Sequence, residues 1–355
     1  MLKNITNWPS FELAQGSKEP LLLESLQSLT LHHQHTCAAY KQILSKFWKT
    51  NKSLSLESLP FLPVRLFKHE RLLSVPSEEI IKTMTSSGTG GQNLSKIFLD
   101  KKTSALQVKV LSRIVTDFIG PKRLPMLVID CRATVANRLD FSARTAGILG
   151  FSMFGREIEF ALDENMTLNE SRVSQFIAKH SRQPILIFGF TFIVWLHFLT
   201  WLESNKKFLA LDQAILIHGG GWKQLQSEAV SSHEFKSRLN AVTGIKQVYN
   251  YYGMVEQTGS IFMECEFGHL HASIWSDIIV RSPMSFDALP KDQPGMIQLL
   301  SVIPHSYPGH SLLSEDEGVL LGIDDCSCGR LGKYFKVLGR INGAELRGCS
   351  DTYTK

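Results

Sequence analysis

The sequence predicts an α/β fold with largely parallel sheets flanked by helices, joined by a smaller β-rich lobe. Three observations predict it. First, continuous apolar runs recur as PMLVID (125–130), PILIF (184–188) and AILIHGG (214–220), and runs without polar alternation are strands covered on both faces. Second, helical patterns such as SALQVKVLSRIVTDFI (104–119) and SQFIAKHS (174–181) stand between them, and strand–helix alternation favours parallel pairing. Third, beyond residue 260 the texture changes to shorter strands set among Gly and Pro turns, GMIQLLSVI (295–303) and GVLLGID (318–324). The expected organisation is an α/β core over 1–260, a β-rich subdomain over 261–338 and a tail over 339–355.

The elements can be justified in chain order. The start, MLKNITNWPSFEL, has no charged n-region followed by an apolar run, so no secretory signal is expected. Residues 20–50 carry apolar positions at helical spacing and read as one or two amphipathic helices. His32, His33 and His35 are expected on their solvated face. Pro60, Pro63 and Pro76 then mark a linker. Residues 184–202, PILIFGFTFIVWLHFLTWL, approach the length of a membrane span. Pro184, Gly189, Thr191 and His197 interrupt that run, and a buried strand over 185–188 turning into a helix fits it better. No membrane span is expected, and this segment is a candidate wall for an apolar substrate. A net charge of +5 without a basic run speaks against nucleic-acid binding. Six cysteines with no secretory signal read as reduced thiols or metal ligands in a cytoplasmic protein. Cys37 and Cys131 fit helix and strand-end packing.

Several motifs carry chemistry. TMTSSGTGG (83–91) precedes the strand candidate KIFLD (96–100). Its glycines let successive N–H groups face one anion, and its hydroxyls add donors. It lacks the Gly-Lys-Ser/Thr of a P-loop and the GxGxxG of a dinucleotide turn; alone it reads equally well as a surface turn. HGGGWK (218–223), YNYYGMVEQTGS (249–260), HSLLSEDEG (310–318) and VLGRINGAELRGC (337–349) follow in order.

That ordered set resembles the superfamily of adenylate-forming acyl-activating enzymes. The resemblance implies ATP as cofactor, with Ser86, Ser87, Gly88, Thr89, Gly90 and Gly91 as the phosphate loop. It implies Gly219, Gly220 and Gly221 as the turn that packs on adenine. Tyr252, Gly253 and Glu256 fall on the Tyr-Gly-x-x-Glu motif, with Glu256 on Mg²⁺. Asp316 falls on the ribose-binding position, chosen within Glu315-Asp316-Glu317 because Pro308 stands eight residues before it. Arg340 falls on the Gly-Arg pair. A narrower likeness, over nearly the whole chain, is carried by HGGGWK, YYGMVEQTG, DDCSCGRLGKYFKVLGR and GAELRGCSDTYT. These look like the long-chain acyl-protein synthetases of bacterial bioluminescence. That family implies activation of a long-chain fatty acid to an acyl-adenylate, capture of the acyl group on Cys349, and transfer to an acyl reductase. It also implies a complex with that reductase and with a thioesterase-type acyltransferase.

The chain departs from the wider pattern. Little sequence follows Gly339-Arg340, so the C-terminal lid and its lysine are expected to be absent, and Lys223 or Arg330 becomes the candidate to neutralise pyrophosphate. The missing lid also weakens coenzyme A as acceptor, although an aryl- or acyl-CoA ligase stays an alternative, as does a non-catalytic scaffold subunit. A thiolate attacking a mixed anhydride is sensible chemistry for Cys349.

Cys265, His271, Cys326 and Cys328 have the donor types of a closed tetrahedral zinc site, although C-x-C is tighter than the usual C-x₂-C. The competing reading is a group of buried small side chains beside a satisfied histidine.

Overall fold

The computed structural model describes residues 7, 9–48, 54–86, 94–136, 143–222 and 229–341. Its elements, in order, are α1 Gln15–Thr36, α2 Ala38–Phe47, β1 Ile80–Thr85, β2 Lys96–Asp100, α3 Lys101–Ile119, β3 Leu124–Cys131, α4 Ala143–Ser152, β4 Gly155–Leu162 and α5 Glu170–His180. There follow β5 Leu186–Phe190, helix α6 over 191–204, β6 Ile215–Gly219, α7 Ser232–Thr243 and β7 Gln247–Tyr252. The last are β8 Phe262–Glu264, β9 Leu270–His271, β10 Ser276–Arg281, β11 Pro294–Ser301, β12 Ser311–Ile323 and β13 Lys333–Arg340. Two compact units result, one from the described residues of 1–86, 90–117 and 253–346, the other from those of 118–252.

The second unit is a parallel α/β part. Its strands pair in the order β4-β3-β5-β6-β7, and every pairing is parallel. The chain starts at β3, goes outward to β4, then returns past β3 to β5. Such a reversal creates a crevice at the carboxyl ends of the two strands flanking it. Met126 to Ile129 and Leu186 to Phe188 have no exposed surface, as strands covered on both faces require. Helix α5 is capped by Asn169, whose side chain accepts the Arg172 N–H, and α7 by Ser231, which accepts from Glu234. Gly244, left-handed at φ 74°, ends α7. The apolar stretch 184–202 becomes β5 followed by α6, with Val194, Trp195, Phe198, Leu199 and Leu202 buried. Residues 194–199 form a π-helical turn. Among the described residues no helix is long and apolar enough to cross a membrane.

The first unit holds the β-rich part. Its strands run β10-β11-β12-β13-β9-β8, all antiparallel, and β1 pairs with β2 as a separate ribbon. The predicted segment 318–324 is the end of β12, a strand of 13 residues. Helix α1 buries Gln15, Lys18, Leu22, Ser25, Leu26, Leu29, Thr30 and His33, a stripe at spacings of three and four. Its polar members are partnered. Lys18 and Lys333 flank the fully buried Asp277, at 4.0 and 3.4 Å, and Gln15 donates to it at 2.6 Å. Burial alone would raise the Asp277 carboxyl; the two ammoniums and the Gln15 donor outweigh it and hold it below its ordinary value. Burial drives Lys18 down to about 8 despite that carboxylate: one anion is shared by two cations.

The histidines of α1 depart from expectation. His35 is exposed and His32 half-buried, but His33 is fully buried. It stacks on His310 with centroids 5.0 Å apart, bonds to Ser74 Oγ at 2.8 Å through Nδ1, and faces the Pro304 carbonyl through Nε2. His310 Nε2 meets Thr30 Oγ1 at 2.9 Å. Partners from residues 74 to 310 made this face a core, and nothing local in the sequence announces them.

Candidate functional site

In the parallel unit the candidate residues sit at the carboxyl ends of strands. Gly219 is the last residue of β6 and lies opposite Tyr251 of β7. A Cβ there would come within 2.5–2.8 Å of the Tyr251 ring, so only glycine allows this approach. Gly220 and Gly221 follow with φ of 87° and 66°, a left-handed turn that other residues adopt at a cost. Trp222 packs edge-on to Trp195. Tyr252, the residue after Tyr251, ends β7.

Two polar groups at the same strand ends were not singled out from the sequence. Thr191 Oγ1 lies 2.9 Å from His218 Nδ1 and 3.1 Å from the Gly219 carbonyl. Burial, with Lys236 adding to it, drives His218 down to about 3, so its ring is neutral. At the end of β3, Asp130 accepts two bonds from Arg144, at 2.6 and 2.5 Å, and both are buried. The signal available for Asp130 was an acid closing the apolar run PMLVID.

In the antiparallel unit Gly253 is followed by a 3₁₀ turn, Val255–Gln257, that carries Glu256, only 3% exposed. Gln257 holds the turn by donating to the carbonyls of Leu299 and Gly309, at 3.1 and 2.8 Å. The buried Tyr307 phenol is pushed far up, first by burial and then by Glu256. Asp316 and Arg340 are brought together: they are register partners across β12 and β13, and Arg340 Nε lies 3.2 Å from Asp316 Oδ1. Arg340 also reaches Glu315 Oε2 at 3.0 Å, and Arg65 pairs with Glu315 from the other side. Ser86 closes the β1–β2 ribbon, its N–H on the Ser95 carbonyl and its Oγ accepting the Ser95 N–H, both at 3.0 Å. Arg330 pairs with Asp117 and Glu266, each at 3.3 Å, so it is engaged within this unit.

Cys265, His271, Cys326 and Cys328 also converge, with ligand atoms all within 4.8 Å of one another. Ser87, Gly88, Thr89, Gly90, Gly91, Lys223 and Cys349 lie outside the described residues.

Comparison with known proteins supplies the family. The model of the acyl-protein synthetase family LuxE matches residues 4–355. The chain belongs to this family. Two relatives are named long-chain-fatty-acid–luciferin-component ligases. The Aliivibrio fischeri protein is 22% identical over 347 residues, covering 96% of this chain and 89% of its own. The Vibrio harveyi protein is 21% identical over 330 residues, covering 90% and 83%. Among solved structures, an open conformation of 2-hydroxyisobutyryl-CoA ligase superposes with a TM-score of 0.70 at 17% identity, over 94% of this chain and 77% of that one. That likeness shows the fold, the α/β architecture of that ligase, as the sequence predicts. The chain is accordingly a ligase.

Proposed function

We propose that this protein activates a long-chain fatty acid with ATP, holds the acyl group as a thioester on Cys349, and passes it to an acyl reductase. The observation that carries the reading is the family match across residues 4–355, with the relatives' names indicating the acid. In the first step a carboxylate oxygen of the acid attacks the α-phosphorus of ATP, and the bond to pyrophosphate breaks. In the second, the Cys349 thiolate attacks the acyl carbonyl and AMP leaves. The reductase thiol then takes the acyl group by exchange, and the thioesterase-type acyltransferase supplies the acid.

The described geometry supports assigned roles. The glycine turn 219–221 and Tyr252 stand at the carboxyl ends of β6 and β7, where adenine would pack. Asp316, oriented by Arg340, presents a carboxylate for ribose hydroxyls. Ser86 anchors the loop 86–91 at the close of the β1–β2 ribbon, and that loop holds the phosphates. Glu256, a buried carboxylate on the 3₁₀ turn, would hold Mg²⁺. When bound, Mg²⁺ neutralises charge on the phosphates. Lys223, next to the adenine turn, takes the part of the lid lysine.

The test is incubation of the full chain with ATP, Mg²⁺ and a radiolabelled long-chain acid, without coenzyme A. Label is expected on the protein, released by hydroxylamine, mapped to Cys349 and lost in Cys349→Ser. Label that survives that substitution would sink the tail-thiol step, and acyl-CoA formed on adding coenzyme A without protein label would favour the ligase alternative. Absence of acid-dependent ATP–pyrophosphate exchange, with or without the reductase, would favour the scaffold.

A further inference from the structure

Outside that reaction, one cluster in the antiparallel unit has the makings of a metal centre. Cys265 directly follows β8, and its N–H donates to the His269 carbonyl at 2.8 Å, closing the turn into β9. His271 ends β9. Cys326 and Cys328 lie in the turn from β12 to β13, which the Gly329 N–H closes on the Cys326 carbonyl at 3.0 Å. Two turns some sixty residues apart in sequence (|i−j| of 61 for Cys265 and Cys326) thus present two donors each to one point.

The distances decide what the point can hold. Cys265 Sγ and Cys326 Sγ are 4.0 Å apart, and Cys328 Sγ lies 3.3 Å from His271 Nε2. A disulfide needs about 2.05 Å between sulfurs, so the thiols are not bonded, and all three are free. A tetrahedral zinc with Zn–S of about 2.3 Å and Zn–N of about 2.0 Å separates its ligands by about 3.8 Å for S···S and about 3.5 Å for S···N. These two spacings fall within a few tenths of an ångström of both, and all four ligand atoms lie within 4.8 Å of one another. Cys265 and His271 have no exposed surface, and Cys326 has 6%. His271 Nδ1 makes no hydrogen bond among the described residues, and Nε2 faces only a thiol. An imidazole so buried gains little from such neighbours unless a cation sits between them.

We propose that Cys265, His271, Cys326 and Cys328 bind one Zn²⁺ through three sulfurs and His271 Nε2, as a closed structural centre. Three soft thiolates and one imidazole in a tetrahedral frame select zinc over hard, oxygen-seeking cations. Four protein ligands leave no open position, so the ion does not act on substrate. Its effect is to tie the β8–β9 turn to the β12–β13 turn. His269 Nδ1, 3.3 Å from Cys326 Sγ, and the Arg330 N–H, 3.5 Å from Cys328 Sγ, surround the sulfurs. Arg330 also brings positive charge beside a centre whose ligands sum to minus three. Binding releases the thiol protons to solvent and changes no oxidation state.

Metal analysis of the full chain, purified without chelator, tests this directly. One zinc per chain is expected, released stoichiometrically to a colorimetric chelator when the thiols are titrated with an organomercurial. Exchange with Co²⁺ is expected to give the d–d bands of a tetrahedral site and thiolate-to-cobalt charge transfer of three-sulfur intensity. Cys326→Ser with Cys328→Ser is expected to lose the metal, whereas His271→Cys keeps it as a four-thiolate site. If the serine variant fails to fold, the cobalt spectrum of the unmodified chain still decides. A folded chain that takes up neither Zn²⁺ nor Co²⁺, a cobalt spectrum without thiolate bands, or iron in place of zinc overturns the proposal.

Discussion

The two units place their polar groups by opposite means. In the parallel unit the candidate site is made largely of backbone: Gly219 to Gly221 are consecutive and close the end of β6. In the antiparallel unit it is made of side chains gathered from distant segments. Lys18, Asp277 and Lys333 meet from three parts of the chain, as do His33, Ser74 and His310. The parallel unit's own buried ion pair, Asp130 with Arg144, spans only 14 residues. A consecutive motif can be recognised before the fold is known; a gathered one exists only after folding, and its stability is tied to the fold.

The strongest way to break this comparison is through the two buried charge groups. Removing one partner of a buried ion pair leaves an uncompensated charge and costs about 3–5 kcal/mol. Asp130→Ala and Asp277→Ala are both expected to lose that much in equilibrium urea unfolding. The rescues should differ. Asp130→Leu with Arg144→Met removes both charges of the local pair and is expected to return close to the parent stability. Asp277→Leu leaves two buried ammoniums, so Lys18→Met alone should rescue it only in part, and Lys333→Met must be added. Equal rescue by one partner substitution in each unit would show that the gathered group is no more interdependent than the local one.

Acid should separate the units by a smaller margin. His305 is driven down to about 4 by burial, then by His32 and Lys102, with Asp100 opposing. His310 is driven down to about 3 by burial and His32. His33 is held well below its ordinary value by burial, His310, His32 and His305, against the Pro304 carbonyl. Each folded pKa lies below the unfolded value near 6.5, so the unfolded chain takes up the proton first as pH falls. Stability is therefore complete above about pH 6.5 and is lost toward pH 4, at no more than about 1.4 kcal/mol per pH unit per histidine, less for the half-buried His305. In the parallel unit His180, His197 and His218 are also held down by burial, but none of the three lowers another. Hydrogen exchange at pH 5 against pH 7, corrected for intrinsic rates, should therefore lose protection first in 15–48 and 294–311. Earlier loss in 118–252 would contradict the assignment of acid sensitivity to the histidine cluster.

Legibility followed the same division, with the Cys/His set as the exception. The run PMLVID lies within β3, and PILIF and AILIHGG overlap β5 and β6, because a strand covered on both faces imprints a continuous apolar run. The stretch 184–202 was legible as strand and helix because glycine and threonine interrupt it. The Cys/His set was legible because few residue types make metal ligands, so even distant pairs stand out. His33 was not: a histidine at a helical face position looks the same whether water or His310 lies opposite. Nor was the buried role of Lys18, whose partner is 259 positions away. Nothing local in the acidic run Glu315-Asp316-Glu317 announces that it lies in the middle of β12, met by Arg340 and Arg65.

That pairing gives the smallest expected effect on stability and the sharpest on function. Arg340 bridges Glu315 and Asp316 through separate nitrogens, at 3.0 and 3.2 Å. Lysine keeps the charge but, as a compact point charge, loses the planar fork that fixes both carboxylates. The pair is partly exposed, so Arg340→Lys should cost about 1 kcal/mol or less in urea unfolding. If Asp316 grips the ribose, losing its orientation should raise the KM for ATP by about tenfold, the equivalent of about 1.4 kcal/mol of binding. The KM for the fatty acid should stay unchanged. ATP–pyrophosphate exchange measured at varied ATP and at varied acid separates the two. An unchanged KM for ATP, with parent-like stability, would make Arg340 only a clamp on the β12–β13 register and would move the ribose contact away from Asp316.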